Sequence, residues 1–159
     1  YQLIGEPHSV ATPITSPYSL SSSGVNYPVA SIRLKSSDLD AVAIPVGINV
    51  LGITNNTNYR WSVVKKGTTS GGTWSNLGST SSVQYNLSGT SFSGGNVLAQ
   101  GYVVGSNQGS IATAVDRTNL FKFQLEREPF TPTPYELTVV VSADSGSSDV
   151  VVAIDWEEV

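Results

Sequence analysis

Residues 136–159 read ELTVVVSADSGSSDVVVAIDWEEV, and this stretch decides the fold class. Leu137, Val139, Val141 and Ala143 alternate with Glu136, Thr138, Val140 and Ser142. That period of two lets a strand bury one face and show the other to water. Residues 144–149 are small and polar, as a turn requires. A closing strand begins at Val150, with Val152, Ile154 and Trp156 on an apolar face and Asp155 and Glu157 on the opposite one.

The same pattern runs upstream. Val29, Ile32 and Leu34 are set against Ser31, Arg33 and Lys35. Val42, Ile44, Val46, Ile48 and Val50 fall on one side of a long central strand, which is expected to kink near Pro45-Val46-Gly47. Tyr59, Trp61 and Val63 share a face, and the loop at 67–72, ending in Ser-Gly-Gly, carries a hairpin signature. Val83, Tyr85 and Leu87 alternate with Gln84 and Asn86, and a second Ser-Gly-Gly at 93–95 leads into 97–104. Both triplets predict turns that need positive φ rather than a phosphate cradle, since neither opens a helix. A polar turn follows at 106–110, then at most one helical turn within 111–120, then a half-buried strand through Phe121, Phe123 and Leu125. Pro129, Pro132 and Pro134 predict an extended connection over 128–135. About eight strands joined by small-residue turns point to an all-β, antiparallel β-sandwich or jelly-roll-like fold.

With 159 residues and 16.7 kDa, the chain suits one domain. Residues 1–26 carry Pro7, Pro13 and Pro17 without a sustained period and read as an extended N-terminal arm, with residues 27–159 as the β-sandwich domain. Pro7, Pro13, Pro17 and Tyr18 are the expected contacts if that arm covers a sheet edge or a neighbouring subunit. A net charge of -4 and a pI near 4.8 argue against nucleic acid, whose phosphates demand clustered cations. The longest apolar run, 41–53, is interrupted and falls short of the roughly 20 residues of a membrane helix, so no membrane insertion is expected. There is no cysteine, which removes disulfides and thiolate chemistry. The chain opens on Tyr1 with no basic stretch before an apolar core, so a signal peptide is expected to be absent or already removed.

Candidates for chemistry are few. His8, the single histidine, lies in the arm and reads as a surface residue, a poor general base. One His and no Cys cannot build a typical zinc site. Asp144 with Asp149, and Asp38 with Asp40, lack a full calcium-loop pattern and read as turn formers, so no metal and no cofactor are expected. Asp155 and Glu157 would stand about 6.5 to 7 Å apart on a strand, a separation that inverting glycosidases use. Catalytic acids must flank a substrate from two sides, however, and neighbours on one strand approach from one, so this pair reads as a solvated face. Among the aromatics Tyr59, Trp61, Trp74, Tyr102 and Trp156, the period assigns Trp61 and Trp156 to the core. Trp74 and Tyr102 remain as contacts for a glycan or a partner, Trp74 being the better candidate for an exposed ring.

The ordered segments SIRLKSSDLDAVAIPVGINV, YRWSVVKKGTTSGGTW, YNLSGTSFSGGNVLAQGYV, FQLEREPFTPTPYELTV and AIDWEEV together resemble a group of structural proteins of tailed bacteriophage virions. Members end in a similar Gly-Gly turn, Gln-Leu-x-Arg strand and W-E-E terminus. The resemblance covers residues 29–159 and leaves the arm outside it. It implies a non-enzymatic component exposed on the particle: a capsid decoration or cement subunit, or a fibre or neck component. Its partners would be copies of itself and other virion proteins, and it brings no catalytic residues. The alternative is a carbohydrate-binding β-sandwich module that contacts host-surface glycan through Trp74 and Tyr102.

Overall fold

The computed structural model describes residues 6–105, 113–114 and 124–158, of which 113–114 by backbone alone. Within them lie β1 (Glu6–Ala11), β2 (Tyr18–Leu20), β3 (Tyr27–Leu34), β4 (Ala43–Gly52), β5 (Asn58–Ser70), β6 (Ser75–Asn76), β7 (Val83–Asn86), β8 (Ser91–Val104), β9 (Thr113–Ala114), β10 (Glu136–Ala143) and β11 (Ser148–Glu158). They form two antiparallel sheets. The first runs β1-β11-β4-β9, with β2 also paired to β11; the second runs β6-β7-β3-β10-β5-β8. The fold is all-β, with the sheets packed face to face.

β10 and β11 are consecutive in sequence but lie in different sheets, so the turn between them carries the chain across the sandwich. Leu137, Val139, Val141 and Ala143 from β10 meet Val150, Val152, Ile154 and Trp156 from β11 in one buried cluster, as their alternation predicts. Ile32, Leu34, Ile48, Val50, Tyr59, Trp61 and Val63 belong to the same cluster. Each such side chain contributes about 1.5–3 kcal/mol when fully buried. Trp61 packs so closely on Gly101, its cross-strand partner, that a Cβ there would enter the indole ring.

The kink expected in the central strand is a bulge. Asp155 pairs with Gly47 and Trp156 with Pro45, leaving Val46 unpaired on β4. A bulge is where a paired strand can hold proline. It also shifts the side-chain period by one, so Ala43 is buried and Ile44 is not. Placing Ile44 on the same face as Ile48 and Val50 is therefore corrected.

Residues 6–11 and 18–20, read as arm, are strands of the first sheet. β1 pairs with residues 153–158 and β2 with 148–150, end to end along one edge of β11. Pro7 stands opposite Glu157 and is exposed, while Val10 and Leu20 are buried. One proline and a single buried residue in β1 hide its strand character, which comes from pairing with β11. Pro13 closes a turn, its carbonyl accepting from Ser16 N–H at 3.0 Å.

Ser70-Gly71-Gly72 does form a turn, with φ of 79° and 70° at the glycines. β5 nevertheless pairs with β8 instead of the next strand, so no hairpin forms there. Gly94 and Gly95, with φ of 74° and 87°, lie inside β8, Gly94 paired with Gly67 and Gly95 level with Lys66, itself at φ 64°. Both strands bend at that point, where glycine tolerates the left-handed backbone. Beyond the bend, Thr69 comes back over the sheet: Ser31 Oγ lies 2.9 Å from Thr69 Oγ1 and 3.0 Å from Thr138 Oγ1, all three residues being buried.

Residues 128–135 make a tight excursion rather than an extended connection. Glu128 N–H donates to Thr133 O and Tyr135 N–H to Glu126 O, each at 2.8 Å. The polar turn at 106–110, the turn of helix within 111–120 (apart from the β9 backbone) and residues 121–123 of the Phe121–Leu125 strand lie outside the described residues. Leu125 is buried, and its N–H donates to Ala43 O at 2.8 Å.

Candidate functional site

The acids of the last strand hold strands together. Ser9 Oγ donates to Asp155 at 2.7 Å across the β1–β11 ladder. Glu158 accepts from Ser81 Oγ at 2.5 Å, Ser82 N–H at 2.6 Å and Trp156 Nε1 at 3.0 Å. Burial opposes its ionisation, but these hydrogen bonds and nearby His8 outweigh that cost and hold the carboxyl below its ordinary value. His8 is no surface residue. Its side chain is 12% exposed, stacks on Trp156 with ring centroids 6.1 Å apart, and places Nε2 3.4 Å from Glu158. Asp155 and Glu157 do not converge on an opposing acid, while Glu158 draws two of its three donors, Ser81 and Ser82, from more than seventy positions away. Among the described residues, no group of three His, Asp or Glu side chains could hold a metal ion.

The outer face of the second sheet offers more. Arg60 and Tyr102 are cross-strand partners on β5 and β8, and Ser142 pairs with Arg60 from β10. Because Tyr59, Trp61 and Val103 point into the core, these alternate positions point away from it. Tyr102 is 74% exposed. Arg60 Nη2 donates to Gln100 Oε1 at 2.8 Å, which steadies the guanidinium beside the ring. Asp144 accepts from the backbone N–H of Asn58 at 3.0 Å and from its side-chain amide at 2.6 Å, and these bonds hold its carboxyl below the ordinary value. Arg60, Tyr102, Asn58, Asp144 and Ser142 line an open groove of about 420 Å³. A second groove of about 190 Å³ adjoins it, shares Arg60, and is walled by Val64, Phe92, Val97 and Val140.

Trp74 and Tyr102 are not brought together. Trp74 is half-buried, with the Arg33 guanidinium 4.0 Å from its ring centroid, so one face of the ring is covered. Arg33 is over forty positions away in sequence, which is why composition alone marked Trp74 as the freer ring. Tyr18 packs on its own chain: its hydroxyl donates to Gly89 O at 2.5 Å, and burial, with Tyr27 beside it, pushes the phenol up to about 12. Pro13 is exposed and Pro17 half-buried.

No family model matches the chain, and no curated protein matches it.

Proposed function

We propose that this chain is a non-enzymatic structural protein of a bacteriophage virion, exposed on the particle and assembling with copies of itself as a decoration, cement or fibre component. One observation carries the reading. Among the described residues the second sheet ends on β8, fourteen residues with no charge and no proline. Val97, Tyr102 and Val104 on it are 54%, 74% and 53% exposed. Isolated proteins blunt such edges with charge or proline, because a bare one recruits other chains. In an oligomer the neighbour covers it. The β1–β11 ladder and the acids that fasten it give the subunit a rigid frame. The resemblance of residues 29–159 to virion structural proteins supplies the setting. Antibody fragments raised against this domain should decorate intact particles at regular spacing; particles that bind none would sink the proposal.

A second reading, a carbohydrate-binding module for host glycan, is favoured by the Tyr102 groove. An exposed aromatic ring supplies a flat apolar platform, while Arg60, Asn58 and Asp144 supply fixed donors and acceptors. A glycan array probed with the wild-type chain and with Tyr102→Ala tests it. Retained array signal in the variant, or none in the wild type, removes this reading.

A further inference from the structure

Phe130 stands at the tip of the excursion between Glu126 and Tyr135, 106% exposed and at φ 68°. A bulky residue in the left-handed region is an outlier that persists only where its surroundings enforce it. Here they do. Arg127 donates to Pro132 O at 3.0 Å and to Asp38 O at 2.5 Å, and Thr131 Oγ1 donates to Glu128 at 3.2 Å. Pro129, Pro132 and Pro134 stiffen the remainder. A phenyl ring is thus presented to solvent on a braced loop.

The same chain carries a matching recess. The groove, walled by Val64, Phe92, Val97 and Val140 with Asn26, Ser62 and Ser93 also on its lining, measures about 190 Å³, and an enclosed apolar cavity of about 150 Å³ holds a benzene ring. Arg60 at its rim can meet the face of an entering ring. Val97, at its mouth, is among the exposed apolar residues of β8. A bilayer is the poorer partner for the loop, because Glu128 lies beside Phe130 and the chain carries a net charge of -4, which anionic lipid repels.

We propose that Phe130 of one copy inserts into the Val64–Val97–Val140 recess of the next. Knob and hole lie on different parts of one chain, so the contact is head to tail and closes a ring when the rotation per subunit permits. The inference rests on the self-assembly reading and names the contact that produces it.

Light scattering on size-fractionated full-length chain, at micromolar concentration, tests it through Phe130→Ala and Val97→Arg. The wild type should run as an oligomer and each variant as a monomer. Each variant should keep the β-sheet circular dichroism of the wild type, and its melting midpoint should fall only by what assembly lends the wild type. Mixing the variants should restore a 1:1 dimer, because one keeps the hole and the other the knob. A wild-type monomer would overturn both this contact and self-assembly. An oligomer that survives Phe130→Ala would overturn the contact alone, and a mixture that stays monomeric would overturn the assignment of the hole.

Discussion

Glu158 on β11 accepts a hydrogen bond from Ser81 Oγ at 2.5 Å, joining the last strand of the first sheet to the segment that enters β7 in the second. Ser82 N–H and the Trp156 indole donate to the same carboxylate. Glu158→Ala leaves these donors without a partner. An orphaned buried donor costs about 1–3 kcal/mol, so with partial rehydration we expect a loss of about 2–4 kcal/mol in a urea titration. An unchanged midpoint would mean that the clamp contributes nothing.

The same carboxylate sets a pH dependence. Its folded pKa is depressed, so on acidification the unfolded chain takes up the proton first. The stabilisation is complete above the ordinary carboxylate value of 4.5 and is lost as pH falls through the depressed folded value. Glu158→Ala should therefore flatten the acid limb of the stability profile, measured by denaturant midpoints from neutral pH downward. Parallel wild-type and variant curves would show that other acids govern it.

β1 should matter more for solubility than for the core, since only Val10 of it is buried. Beginning the chain at residue 12 exposes the β11 edge from Ala153 to Glu158 that β1 covers. A bare edge pairs with other chains. We expect concentration-dependent turbidity in the shortened chain while its β-sheet circular dichroism persists. A clear solution at high concentration would contradict this.

Gly101→Val drives a branched side chain into the Trp61 ring. Overpacking a filled core costs about 1–3 kcal/mol, which a thermal melt would register as a fall of roughly 2–12 °C in the midpoint. Tryptophan fluorescence should change with it.

The fold was legible where one strand face is buried and the other wet. β11 follows its alternation residue by residue, and the Trp156 assignment rests on it, whereas on β10 Thr138 and Val140, expected on the wet face, are buried as well. The phase of β4 was lost at Val46, because a bulge is an event of pairing and leaves little trace beyond Pro45 and Gly47. β1 was hidden because one buried side chain and a proline make no period. Tyr102 was found as an exposed ring, but the role of Glu158 was not, since Ser81 and Ser82 are distant in sequence. Phe130 was equally invisible: three prolines suggest extension, whereas Arg127 folds the segment back on itself.

Self-assembly is the claim on which the functional account turns, and a native mass measurement of the wild-type chain at micromolar concentration tests it most directly. The account predicts a discrete oligomer at a whole-number multiple of 16.7 kDa. A single species at 16.7 kDa would contradict it.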